Sequence, residues 1–268
     1  RKKRWQPTGS YYRKSSSIIS ALYIYRRNAI KIAVERKTET MQEKPEIVNN
    51  KEEIPWEHYK AQFEKIDPEE TASRCHVEYD PSAGGFAIRL MGVEYRVSWP
   101  EFKVTTSHEG YAALRDTLQA KILTARFLTE GCYAPSEGKF VTYRDVPWGE
   151  HYFKPFQGRC LMRLAFSYGT KIEVFRALME QLGAKAMTTG DAGYDFEFIN
   201  GIHIQFLLWA PDEEFPPSSQ ILFADNAVAA FTAEDMAVIG DVSINTLKAM
   251  EKEAKKGTER TEGKGEKQ

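Results

Sequence analysis

The sequence predicts an α+β fold, an antiparallel sheet built from hairpins with helices packed on it. Two stretches each contain a pair of alternating apolar runs, the period of half-buried strands, and these pairs indicate the hairpins. Apolar residues at helical spacing precede, separate and follow the hairpins. This order, in a chain without an internal repeat, is typical of a sheet that carries helices.

The folded part of the chain is predicted to begin with an amphipathic helix after Pro55. Its apolar positions recur at helical spacing: Trp56, Tyr59, Phe63 and Ile66. A second, short helix follows, because Asp67 is a favourable N-cap and Pro68 fits the first helical position. The first hairpin comes next, with apolar residues alternating in 86–90 and 93–99.

Turn signals, capping signals and apolar spacing also predict the elements of the second half of the fold. Asn200-Gly201 is the strongest short signal for a hairpin turn, and the returning strand, 202–209, is apolar enough at its end to be central. Thr232 and Asp235 resemble a capping box, from which a helix is predicted to run to about Met250, with a candidate break near Gly240. Helical spacing also predicts three helices in the middle of the chain: 111–129, 160–168 and 172–182.

Charge divides the chain into three parts. Residues 1–40 hold eleven Lys or Arg and two Glu, a net charge of +9, so the remainder carries −10 of the total of −1. We interpret 1–53 as a basic arm and charged linker, either disordered or the artefact of an upstream start, because Met41 opens a more ordinary sequence. A membrane-surface helix and a nucleic-acid arm are the alternatives. Residues 54–250 are predicted to form a single α+β domain, and 251–268 a disordered charged tail.

Several classes of protein are disfavoured by the sequence. The three cysteines are widely separated and none forms a Cys-x-x-Cys pair, so we expect no iron–sulphur cluster held by this chain alone. No apolar run reaches the roughly 18 residues of a transmembrane segment, and the basic arm lacks the cleavage site of a signal peptide. We therefore expect a cytoplasmic protein. The usual nucleotide-binding, serine-hydrolase and zincin motifs are absent. Basic stripes with aromatics are absent after the arm, which argues against nucleic-acid binding by the folded domain.

An acidic corner, residues 209–217, is the first candidate site. It places three carboxylates directly after a strand and before a stiff Phe-Pro-Pro sequence. Clustered carboxylates suit a hard divalent metal, and the candidate metal ligands are Asp212, Glu214 and His203, the last on the preceding strand. The carboxylates could instead bind a ligand or a cationic partner, pair with an Arg within the fold, or only cap the next element. The candidate ligand-binding residues are Trp209, Asp212, Glu213, Glu214 and Phe215.

An aromatic segment, residues 147–156, is the second candidate. We interpret it as an irregular loop that lies across the core, since its spacing fits no regular element. Its rings, with a Lys and a His, could stack a flat ligand or cofactor, and His151 is the best candidate for acid–base work. The alternative is a loop that only covers the core. The candidate ligand-binding residues are Trp148, His151, Tyr152 and Phe153.

Several constrained residues occur together in Leu208–Ser218, which is followed by Ile221–Phe223 and Asp225. Further such stretches are Tyr95–Glu101 and the loop through Val141, Pro147-Trp148-Gly149 and Phe156. In these places, and over roughly Trp56 to Met250, the chain resembles an uncharacterised domain-of-unknown-function family, number 3786, of anaerobic bacteria and archaea. The resemblance implies no established activity. Some relatives are fused to, or encoded near, iron–sulphur or corrinoid-linked modules. This chain lacks the cysteines of such a module, so the resemblance implies that any redox or corrinoid-linked module would be a separate protein partner.

Three hypotheses follow. The first is a non-enzymatic domain that binds a small-molecule ligand or cofactor, or an accessory domain that docks on an enzyme of anaerobic redox or one-carbon metabolism. The second is a metal-dependent enzyme that uses the acidic corner with His151 or His203. The third makes the basic arm a tether to membrane or nucleic acid.

Overall fold

A computed structural model of the chain describes residues 52–265, with side chains described as far as residue 256. The described residues belong to one compact unit, Asn49–Gln268. The predicted basic arm and linker, apart from Glu52 and Glu53, lie outside the described residues, as do the last three residues of the predicted tail.

The helices and strands alternate along the chain much as the sequence predicts. The helices are α1 Glu53–Phe63, α2 Pro68–Cys75, α3 Ala113–Asp116, α4 Leu118–Thr129, α5 Gly149–Phe156, α6 Arg163–Tyr168, α7 Ile172–Gln181, α8 Ala227–Ala230 and α9 Ala233–Gly265. A π-helical segment, Gln157–Met162, joins α5 to α6. The strands are β1 Tyr79–Asp80, β2 Gly85–Leu90, β3 Val93–Ser98, β4 Val104–Thr105, β5 Phe140–Thr142, β6 Lys185–Met187, β7 Ala192–Ile199, β8 Ile202–Trp209 and β9 Ser218–Ala224.

The strands of the described part of the chain form one antiparallel sheet, which confirms the predicted α+β fold. Its order is β4-β3-β2-β7-β8-β9-β5, with β1 beside β2 and β6 beside β7. Strand β8 is central, as its apolar end predicts. Among the described helices, none is both long and apolar enough to cross a membrane.

Local turn and cap signals are confirmed in detail. The Asp67 carboxylate accepts hydrogen bonds from the backbone N–H groups of Glu69 and Glu70, each at 2.9 Å, and so caps α2. Thr232 and Asp235 bond reciprocally at the start of α9, at 3.0 and 3.3 Å, as in a capping box. The β7–β8 turn has positive φ at both central residues, +33° at Asn200 and +80° at Gly201.

Two helix boundaries differ from the prediction. The helix expected over 111–129 is interrupted at Thr117, whose backbone is extended and whose hydroxyl accepts from the N–H of Ala120. The last helix has no break at Gly240 and continues past Met250 to Gly265. A Glu251–Lys255 ion pair of 2.7 Å, one turn apart, supports this continuation.

The two faces of the sheet have different surroundings. One face carries large buried side chains that contact the helices, as where the rings of Phe175 in α7 and Tyr194 in β7 meet edge to face at 5.8 Å. Because side chains alternate along a strand, the intervening positions point to the opposite side. We call that side the second face; on β7 and β8 it carries Asp195, Glu197, His203, Gln205, Leu207 and Trp209.

Candidate functional site

The acidic corner forms a closed turn. The Asp212 carboxylate accepts hydrogen bonds from the N–H groups of Glu214 (2.9 Å) and Phe215 (2.7 Å), and the Asp212 N–H donates to the Phe215 carbonyl at 3.0 Å. Asp212 therefore stabilises the turn itself. Glu213 and Glu214 are exposed, and Trp209 stands at the edge of the turn.

The three candidate metal ligands are not brought together. His203 lies near the start of β8, whereas Asp212 and Glu214 follow its end. At about 3.3 Å per residue, the six residues from His203 to Trp209 alone span roughly 20 Å. Within residues 52–256, no three His, Cys, Asp or Glu side chains are grouped so that they could hold a metal ion.

The acidic corner does border a concave surface. An open depression of about 620 Å³ lies between the α6–α7 connection and the residues that follow β8. Its lining includes Lys171 and Val174 on one side and Ala210 and Pro211 on the other. None of the four candidate ligand-binding residues of the aromatic segment lines this depression.

The aromatic segment is helical, so its interpretation as an irregular loop is wrong. Trp148 adopts positive φ (+69°) and turns the chain into α5. Gly149 lies against the Tyr143 carbonyl, where no Cβ would fit. The ring of Phe156 stacks on that of Tyr143, with centroids 3.9 Å apart and planes 5° apart. These tertiary contacts stabilise a helix that the spacing of the sequence does not show.

The candidate ligand-binding residues of this helix are mostly on its solvent side. Trp148, His151 and Tyr152 are exposed, and the His151 and Tyr152 rings meet edge to face at 5.1 Å. The Arg144 guanidinium covers the Phe153 ring, 3.7 Å from its centroid. The segment therefore presents rings on a convex helix surface.

The second face holds a hydrogen-bonded network that the sequence prediction missed in part. The Nδ1 atom of His203 lies 2.6 Å from an Asp195 carboxylate oxygen, and the other carboxylate oxygen accepts from the Gln205 side-chain amide at 3.1 Å. Asp195 and Gln205 are directly opposite in the β7–β8 register. His203 was a candidate from the sequence, but its two partners were not.

A second polar pair lies beside this network. Glu197, opposite His203 in the register, receives two hydrogen bonds from the Arg89 guanidinium at 2.8 and 3.0 Å and one from the Gly201 N–H at 2.6 Å. Burial acts to raise the pKa of Glu197, but these hydrogen bonds outweigh it and lower the pKa. Arg89 and Glu197 thus neutralise each other next to His203.

The same face becomes apolar toward the end of β8. Leu207 and Met187 flank Gly193, where an added Cβ would lie 3.1 Å and 3.4 Å from their side chains. Leu207 is 5% exposed, yet it lies outside the cluster of buried residues that forms the core. Trp209 follows on the same side of the strand. An imidazole held by a carboxylate therefore lies on the same face of the sheet as these apolar side chains.

The comparisons with known proteins place the chain in a family. The family "Domain of unknown function (DUF3786)" matches residues 67–246. The chain belongs to this family. Neither the curated proteins nor the solved structures gave a match. The residues matched to DUF3786 include the acidic corner, the aromatic helix and the His203 network, and end within α9.

The cysteines of this DUF3786 chain differ sharply in environment. Burial raises the pKa of Cys75 to about 11 and that of Cys160 to about 12, whereas Cys132 is exposed. Because the thiolate is the reactive form, we expect the native protein to react quickly with Ellman's reagent at Cys132 alone. Unfolding in denaturant should release the other two thiols, and Cys132→Ser should remove the fast phase. Rapid reaction of that variant would contradict the described burial.

Proposed function

We propose that this protein is a non-enzymatic binding domain that holds a flat cofactor against the second face of its sheet. The observation that carries the proposal is the His203–Asp195–Gln205 network, on the same face as the partly exposed Leu222. We further propose that the domain is cytoplasmic and serves, as an accessory domain, an enzyme of anaerobic redox or one-carbon metabolism. The resemblance of its sequence supports that setting.

The network supports a defined role for the imidazole. An ionised carboxylate only accepts hydrogen bonds, so Asp195 favours the tautomer of His203 that carries its proton on Nδ1. The Nε2 lone pair is then available to a ligand, and the His203 side chain is 43% exposed. A carboxylate behind the imidazole is the arrangement found for most metal-ligating histidines. Asp195 is a positioning residue in this proposal.

The surroundings of His203 suggest the chemical class of the ligand. A single imidazole cannot complete a coordination sphere, and no three-ligand group is present within residues 52–256. A metal bound there would bring its other ligands with it, as the metal of a planar macrocycle does. The partly exposed side chain of Leu222, opposite Gln205 in the β8–β9 register, offers an apolar surface on the same face against which such a macrocycle would lie.

The proposal is tested with two planar metal complexes that have open axial positions, haemin and aquocobinamide. We expect titration with the wild-type protein to shift the visible absorption bands of at least one complex, as axial imidazole ligation does. His203→Ala should abolish the shift. Asp195→Asn should weaken binding by about 10- to 100-fold, the usual effect of removing the group that orients a ligating histidine.

The matched control is His151→Ala, which removes an exposed histidine from α5 and should leave the titration unchanged. Circular dichroism of each variant checks that the fold is intact. The absence of a shift with both complexes, or an equal shift in wild type and His203→Ala, would rule out His203 as the ligand.

A further inference from the structure

A second surface of the molecule exposes large apolar side chains. Met162, Phe166, Val174 and Phe215 are 51%, 59%, 38% and 65% exposed. Met162 and Phe166 lie one helical turn apart, and Val174 lies in the first turn of α7. Large exposed apolar side chains that cluster mark interaction sites more often than single ones do.

Contacts within the fold make this surface continuous. Pro217, at the end of the acidic corner, packs so closely on Gly169 that a Cβ there would not fit. The Ser219 hydroxyl donates to the Leu161 carbonyl at 2.7 Å, which fixes the start of β9 against the helix that carries Met162. The corner and the α6–α7 region therefore form one surface, which we call the corner surface.

The corner surface is acidic at one end. Glu213 and Glu214 are exposed beside Phe215, and Glu173 lines the depression that Pro211 borders. The Asp212 carboxylate is already used within the turn. The exposed carboxylates at this end are therefore those of Glu213, Glu214 and Glu173.

The other end of the corner surface is basic. A second depression, of about 410 Å³, shares Lys171 with the first and is lined by Phe166 and by lysines of α9. Its lysines outnumber its one carboxylate, Glu251, which pairs with Lys255 at 2.7 Å and Lys171 at 3.6 Å. Burial, and to a smaller extent the charge of Arg163, lower the pKa of Lys248.

The corner surface has an acidic end, an apolar middle and a basic end, and this order makes it complementary to a second copy of itself. In a two-fold symmetric interface the same patch meets its own copy in reverse, so each feature needs its complement within the same patch. We propose that the corner surface binds a second copy of this chain about a two-fold axis. Glu213 and Glu214 of each copy then face the lysines of the other, and Phe166 and Val174 lie near the axis.

The test is a reciprocal charge reversal in the full chain, followed by sedimentation velocity at low salt over a concentration series. We expect the wild type to self-associate, and added salt to weaken the association by screening. The variant Glu213→Lys/Glu214→Lys and the variant Lys248→Glu/Lys252→Glu should each associate about tenfold or more weakly, because like charges then face each other.

The decisive sample is an equimolar mixture of the two variants. In a mixed pair, every reversed charge faces an opposite charge, so we expect association to return to the wild-type level. The matched control is Lys103→Glu, an exposed lysine in the β3–β4 connection, which should associate as the wild type does. A wild type that stays monomeric throughout, or a mixture no stronger than either variant, would overturn the proposal.

Discussion

Replacing Asp241 with alanine is expected to lower the free energy of unfolding by about 3 kcal/mol. Asp241 is 6% exposed and accepts from Arg159 Nε at 2.9 Å and from the Arg163 guanidinium. Its removal leaves two guanidinium groups without their shared carboxylate. We expect the lower end of the range for broken buried pairs, because both arginine side chains keep some contact with water, at 43% and 27% exposed.

Urea denaturation of the variant and the wild type measures this effect. The matched control is Glu213→Ala, an exposed carboxylate whose loss should change stability by no more than about 0.5 kcal/mol. Equal stabilities for Asp241→Ala and Glu213→Ala would show that the carboxylate does not join the π-helical segment to α9 as described.

The change Phe156→Ala is expected to cost about 3–5 kcal/mol, the usual range for truncating a buried aromatic ring. Phe156 is 1% exposed and packs against both Tyr143 and Phe223, with ring centroids 3.9 Å and 6.2 Å away. The cavity would open where α5 packs on the sheet. Denaturation in urea measures the loss, and near-ultraviolet circular dichroism reports the changed surroundings of Tyr143.

The control for Phe156→Ala lies on the same helix. Tyr152 is 49% exposed, so Tyr152→Ala should cost far less, within about 1 kcal/mol. If both variants lost stability equally, the helix would not face the core through Phe156.

Local signals in the sequence predicted much of the fold because they act over a few residues. The Asp67 cap and the Asn200-Gly201 turn need only neighbouring groups, and both are present. Helix α5 could not be predicted in this way. It is stabilised by contacts with Tyr143 and with Phe223, which lies 67 residues further along the chain than Phe156. Aromatic and Pro residues have modest or poor helix propensity, so local reasoning favoured a loop.

The candidate site was predictable only in part, because the register of β7 against β8 decides which side chains meet there. A plain two-residue hairpin at Asn200-Gly201 would place Asp195 opposite Phe206. A register shift between Glu197 and Ile199 instead places Asp195 opposite Gln205 and diagonal to His203. This shift brings polar side chains together on one face and leaves the aromatic rings on the other. In the acidic corner, the sequence showed clustered carboxylates but not that Asp212 closes its own turn.

The junction between β2 and β7 has a consequence for the order in which the sheet assembles. These strands share a single register pair, Leu90 with Ile199, whereas β2–β3 and β7–β8–β9 are paired along most of their lengths. Hairpins close short loops, but this junction joins residues more than 100 positions apart, which costs more entropy. We therefore expect the two halves to form first and to join late. The bond from the Arg89 N–H to the Asn200 side chain, with the Arg89–Glu197 pair, then holds the halves together.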